Sequence, residues 1–167
     1  KFDSKEIIDQ IVPSLRRSEY AKVRSGLYCL LCNSDYLNDY IDIFLEGTDC
    51  AYSRETFYSS ELRYLKEGFD KANSPESIRK IVEFFRKEPE NLEKIYFDQE
   101  IGFLDNATQA YKEDPSILEP CLELFKALLI GHERQAQNFL SFFDHTDLRL
   151  QAFQKVYSER NVEKYAF

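Results

Sequence analysis

Two stretches decide how this chain is read: Ser74–Phe85, SPESIRKIVEFF, and Asp114–Phe125, DPSILEPCLELF. Each opens with a short polar residue followed by proline, which is the signature of a helix start. The polar side chain caps the free backbone N–H groups, and proline sits where no N–H is needed. Laid over one another at an offset of 40, Pro75 meets Pro115, Ile78 meets Leu118, Val82 meets Leu122, Glu83 meets Glu123 and Phe85 meets Phe125. Gln109-Ala110-Tyr111 matches Gln151-Ala152-Phe153 at an offset of 42. At an offset of 98, Leu31–Gly47 overlies Leu129–His145, which sets Ile41 on Phe139, Phe44 on Phe142 and Leu45 on Phe143. A two- or three-helix unit cannot cover its own apolar stripe, so units of this length stack and share a core.

Outward from these stretches the helical period continues. Ile7, Ile8 and Ile11 form a stripe that Pro13 is expected to end. Val23, Leu27, Leu30 and Leu31 give a second helix, from about residue 18 to 32, one apolar face. Asn33-Ser34-Asp35 breaks it. The next helix carries Leu37, Tyr40, Ile41, Phe44 and Leu45 and is expected to stop near Gly47, with a loop over 48–53. Further helices are predicted over 54–72 (Phe57, Leu62, Leu65, Phe69), from Pro75 (Ile78, Ile81, Val82, Phe85), after Pro89 (Leu92, Ile95, Tyr96), and after a bend at Gly102 (Leu104, Ala107, Tyr111). The run from Ile117 to Ile130 is apolar on most sides and reads as a central helix capped by Gly131. Its partner carries Ala136, Phe139, Leu140 and Phe143, and a last helix is expected from the Asp144–Asp147 cap to about residue 164. No alternating strand pattern occurs. The fold class is therefore all-α, built of stacked helical hairpins, in one domain with units over about 14–47, 74–113 and 114–153.

The segments Ser74–Glu113 and Asp114–Phe153 resemble armadillo and HEAT-like repeats, which implies a right-handed superhelix that binds partner proteins. The run Leu122–Phe143, with Gly131-His132-Glu133 at its corner, is similar to the armadillo part of the regulatory region of diaphanous-type formins and to helical-repeat segments of inositol trisphosphate receptors. The formin likeness implies binding of a small GTPase of the Rho type and a GTPase-responsive regulatory role.

Composition narrows the function. The 167 residues carry 22 Lys and Arg against 30 Asp and Glu, a net charge of −8. Nucleic-acid affinity rests on clustered cations that release counterions, so an acidic chain is a poor candidate for it. No apolar run reaches the length of a membrane span. Five glycines cannot supply a phosphate-cradling loop, and no nucleophile elbow or His-Glu-x-x-His pattern is present. No catalytic residue and no cofactor are assigned. With no methionine, and Lys1 at its start, the sequence reads as a piece cut from a longer protein.

Cys29, Cys32, Cys50 and Cys121 show no disulfide-framework spacing and read as reduced thiols in a cytoplasmic or nuclear setting. Cys29-Leu-Leu-Cys32, with Cys50, Cys121, His132 or His145, is a conceivable zinc set and leaves a metal-stabilised helical domain open. Its apolar neighbours place it inside a buried helix, where cysteine acts as a small hydrophobe. Tyr52, Tyr58 and Tyr64 are either recognition residues or packing residues. The expected function is a non-enzymatic scaffold or adaptor that binds a partner polypeptide. On the helix after Gly131 the side opposite the apolar set offers Arg134, Gln137, Asn138 and Ser141, and the N-terminal counterpart offers Asn38, Asp39 and Asp42. The negative charge predicts partners with basic or amphipathic helical segments.

Overall fold

In the computed structural model, residues 4–52, 59–96, 99–144 and Thr146 are described. Among them are nine α-helices, two 3-10 turns and no strand. In chain order the helices are α1 (Lys5–Leu15), α2 (Ala21–Cys32), α3 (Ile41–Tyr52), α4 (Ser59–Lys71), α5 (Pro75–Lys87), α6 (Pro89–Tyr96), α7 (Phe103–Glu113), α8 (Leu118–Leu128) and α9 (Glu133–Phe143). The 3-10 turns, Leu37–Tyr40 and Pro115–Ile117, lead into α3 and α8.

The two cap-and-proline signals form as their chemistry requires. Ser74 Oγ accepts from Ser77 N at 3.1 Å with Pro75 at the first helical position, and an Asp114 carboxylate oxygen accepts from Ser116 N at 3.1 Å. α5 buries Ile78, Ile81, Val82 and Phe85 completely. α8 ends at Leu128 with Leu129 as its C-cap, short of the expected end at Ile130, and Gly131, at φ 102, a conformation open to glycine at little steric cost, lies in the turn that follows.

Several expectations are corrected. α1 runs through Pro13 to Leu15, so the proline sits in the last turn, and the buried pair is Ile8 and Val12 while Ile7 is exposed. α2 turns its face by one position: Arg24, Leu27, Tyr28, Leu31 and Cys32 are buried, and Val23 lies outside. α3 does not stop at Gly47 but continues to Tyr52, so 48–52 is helix and not loop. Gly47 is a packing notch. A Cβ there would lie 2.2 Å from Tyr28 Oη and 3.1 Å from Leu65 Cδ2, so the absent side chain lets α2, α3 and α4 approach. In α9 Phe142 is buried where Leu140 was expected, and Ile130 is 83% exposed at the corner after α8. The expected last helix, and the residues before Ser59 in the expected 54–72 helix, lie outside the described residues.

Helices meet in two series. α3 packs on α5 and α5 on α8; α2 packs on α4, α4 on α7 and α7 on α9. Within pairs, α1 touches α2, α3 touches α4, α5 touches α7 and α8 touches α9. The polar links between neighbours recur at near-constant sequence separation. Lys5 Nζ reaches Asp39 (2.5 Å, 34 residues on), Arg24 reaches Glu61 (37), Lys80 reaches Asp42 (38), Arg79 pairs with Asp114 (35), and Asn106 Nδ2 donates to the carbonyl of Asp70 (36). Aromatic rings join the core along the same direction: Tyr28 with Phe44, Phe44 with Phe69, Phe69 with Phe85 and Phe85 with Phe103, at centroid distances of 5.4 to 6.4 Å.

Candidate functional site

The two sets of polar residues singled out in the sequence come to lie in different places. Asn38 and Asp39 are in the turn before α3, and Asp42 is in the first turn of α3, in the α3–α5–α8 series. Arg134, Gln137, Asn138 and Ser141 follow the i, i+3, i+4, i+7 rule on α9, in the α2–α4–α7–α9 series. Asn38 and Asp39 line one groove, and Gln137, Asn138 and Ser141 line another.

The first groove, about 870 Å³, lies between Asn38 and Asp39 on one side and the start of α5 (Ser74, Glu76, Lys80) on the other. Its polar groups bond to each other. Asn38 Oδ1 accepts from Asn73 N at 3.0 Å and Ser74 N at 3.1 Å, its Nδ2 donates to Asn73 Oδ1 at 2.8 Å, and its carbonyl accepts from Ser77 Oγ at 3.2 Å. Asn38 thus clamps the N-terminus of α5. Asp39 holds Lys5, whose ammonium is pushed above its usual pKa by that bond. Asp42 holds Lys80 at 2.8 Å and raises it likewise. At the far end Arg79 pairs with Asp114 and Ser116, and the Ser116 hydrogen bonds hold the Asp114 carboxyl below its usual value. These residues join helices.

The second groove, about 330 Å³, lies between α9 and the approach to α7. Gln137, Asn138 and Ser141 form one wall, and Glu100, Gly102 and Asp105 the other; Ile101 and Leu104, at 4% and 3% exposure, form the floor. The side-chain amides of Gln137 and Asn138 and the carboxylates of Glu100 and Asp105 make no hydrogen bond or ion pair among the described residues. Ser141 Oγ donates to Asn138 O at 2.8 Å within the helix. Arg134 is exposed on the same face of α9. The groove thus offers two amides that can donate and accept, and two carboxylates that can take cations, over an apolar floor. Glu100 and Asp105 were not singled out in the sequence. Glu100 precedes α7 and Asp105 lies in its first turn, both well over twenty residues before α9, and only the packing of α7 on α9 brings them there.

The cysteines are placed by packing. Cys32 Sγ donates to Tyr64 O at 3.5 Å, and burial pushes its thiol up to about 12. Cys121 is fully buried in α8, and its thiol is raised for the same reason. Cys29 is half-buried, and its thiol raises the pKa of the nearby Tyr64 hydroxyl. Among the described residues no three His, Cys, Asp or Glu side chains converge in a way that could hold a metal ion. The side chains of Cys50, Tyr52 and Tyr58, and all of His145, lie outside what is described. His132 Nδ1 lies 2.7 Å from Glu93 Oε2 and links the α8–α9 corner to α6. No described helix is long and apolar enough to cross a membrane.

Comparison with protein-family models, with curated proteins and with solved structures finds no match to this chain.

Proposed function

We propose that the chain is a protein-interaction module made of stacked, armadillo-like helical hairpins in a right-handed superhelix, and that it holds a basic segment of a partner polypeptide in the groove between α7 and α9. The recurrence of inter-helix links at 34 to 38 residues supports the stacked architecture. The observation that carries the binding site is the contrast between the two grooves. Asn38, Asp39 and Asp42 are consumed by internal bonds, whereas Gln137 and Asn138 are unengaged beside Glu100 and Asp105. Amides suit the backbone of a bound segment, and the carboxylates suit its Lys or Arg side chains at low desolvation cost in a half-open groove.

A peptide array sampling Lys- and Arg-rich sequences and their Glu-substituted counterparts, probed with the full chain, tests this. Basic peptides are expected to bind. Glu100→Gln with Asp105→Asn, or Gln137→Ala with Asn138→Ala, is expected to weaken that binding about tenfold. Binding unchanged in both variants refutes the site, and an array without basic preference refutes the partner class.

A further inference from the structure

The walls of the α7–α9 groove accept hydrogen bonds far more than they donate them. Glu100 and Asp105 bring carboxylate oxygens, which only accept, and Gln137 and Asn138 each bring one amide oxygen and one NH2 group. Ser141, the remaining polar side chain of the lining, spends its hydroxyl hydrogen on the Asn138 carbonyl at 2.8 Å and keeps only lone pairs for a ligand. Among the described residues no lysine or arginine lines the groove, so nothing in its walls offsets the two carboxylates.

The carboxylate wall is fixed from behind by α4. Asp70, in the last turn of α4, packs against Gly102, where a Cβ would lie 2.7 Å from Asp70 Cγ. Both Asp70 oxygens are taken, one by the Tyr96 hydroxyl at 2.8 Å and the other by Lys66 Nζ at 2.5 Å, so Asp70 itself offers nothing to the groove. Asn106 Nδ2 donates to the carbonyls of Asp70 and Ala72 at 2.8 and 2.9 Å. Glu100 and Asp105 thus flank a stretch of backbone held against α4, over the buried floor of Ile101 and Leu104.

A site of this kind treats the two cationic side chains differently. The lysine ammonium is a compact, strongly hydrated point charge with three donors. The arginine guanidinium is planar and more weakly hydrated, with five N–H donors in a rigid fork and no acceptor. Fixed carboxylates on one wall and amide oxygens on the other suit a fork that donates along more than one edge. The apolar floor suits the methylene stem behind it.

We propose that the α7–α9 groove selects arginine over lysine. An arginine side chain of the partner lays its stem on Ile101 and Leu104, donates to Glu100 and Asp105, and uses the amide oxygens of Gln137 and Asn138 for its remaining N–H groups. This rests on the reading of the groove as the site for a basic segment and narrows that segment to one residue type.

The test uses the full chain and three labelled peptides of one threonine-rich sequence, carrying a pair of arginines, lysines or citrullines at the same positions. Citrulline keeps the shape of arginine without its charge. In anisotropy titrations at fixed salt the arginine peptide is expected to bind about tenfold more tightly than the lysine peptide, and the citrulline peptide to bind weakest. Gln137→Ala with Asn138→Ala is expected to cost the arginine peptide more than the lysine peptide, so that their ratio falls toward one. Glu100→Gln with Asp105→Asn is expected to weaken both, and Asp42→Asn, in the other groove, to change neither. Lysine binding as tight as arginine binding, with both lost in the Glu100 and Asp105 variant, overturns the arginine preference and leaves the basic-segment reading standing. No binding of either peptide, or citrulline binding as tight as arginine binding, overturns both. An arginine preference that survives the loss of both amides, or of both carboxylates, overturns the proposal by placing the selection elsewhere on the chain.

Discussion

Arg24 and Glu61 form a two-pronged ion pair between α2 and α4, with Nε 2.7 Å from Oε1 and Nη2 3.1 Å from Oε2. Both side chains are nearly sealed from solvent, at 5% and 4% exposure, and Arg24 Nη1 also donates to the Ser18 carbonyl at 2.6 Å. Removing one partner strands a buried charge. Arg24→Met or Glu61→Leu alone is therefore expected to cost about 3–5 kcal/mol, a large part of the roughly 5–15 kcal/mol that holds a domain folded. Replacing both, Arg24→Met with Glu61→Leu, removes two desolvation penalties together with the attraction, so the double variant is expected within about 1 kcal/mol of the parent or above it. The singles then sum to about 6–10 kcal/mol against about 1 for the double, a coupling that far exceeds ordinary additivity error. Urea unfolding followed by circular dichroism at 222 nm measures all four proteins, with the slope checked for constancy. Losses that add, or singles that each cost less than about 1 kcal/mol, would show that water reaches this pair and would refute the reading of it as the buried joint between the first two hairpins.

Ser74→Ala removes the acceptor for Ser77 N and is expected to cost about 1 kcal/mol, a fall of about 2–4 °C in melting temperature, with Ser74→Asp close to the parent. Asp114 has its carboxyl held low by hydrogen bonds from Ser116, with the Arg79 charge adding to this, so its contribution is present above the ordinary carboxylate pKa and is lost as pH falls through the lowered one. In pH-dependent melts Asp114→Asn should flatten the acid limb below about pH 4. A steeper limb in the variant would reverse that sign. Cys121, fully buried with a raised thiol pKa, is expected to resist iodoacetamide in the folded chain and to react on denaturation, as read by mass spectrometry of digests. Modification under native conditions would place α8 nearer the surface than its packing allows.

The helix starts were legible because their signals are local. Ser74-Pro75 and Asp114-Pro115 each satisfy their own backbone, and Gly131 adopts a positive φ in the turn between α8 and α9. What failed depended on residues of other helices, distant in the chain. The face of α2 could not be placed from its own sequence, since a mid-helix Arg24 reads as solvent-facing until Glu61, 37 residues on, makes its burial tolerable. Gly47 reads as a stop until Tyr28 and Leu65 are seen pressed against it.

The same non-local pairing decides which polar residues are left for a partner. Asn38 and Arg79 stand in equivalent relation to the helix caps that follow them, 36 and 35 residues on: Asn38 bonds the Ser74 cap and Arg79 the Asp114 cap. Linking each of these caps back to a residue about 35 positions earlier uses up polar groups along the α3–α5–α8 series. The α7–α9 contact involves no such cap. Its polar side chains, Gln137 and Asn138 among them, are not required to close the stack. A sequence pattern records that Asn38 and Asn138 are both polar residues opposite an apolar stripe. It takes the order of stacking to show that one is part of a joint and that the other faces an open groove.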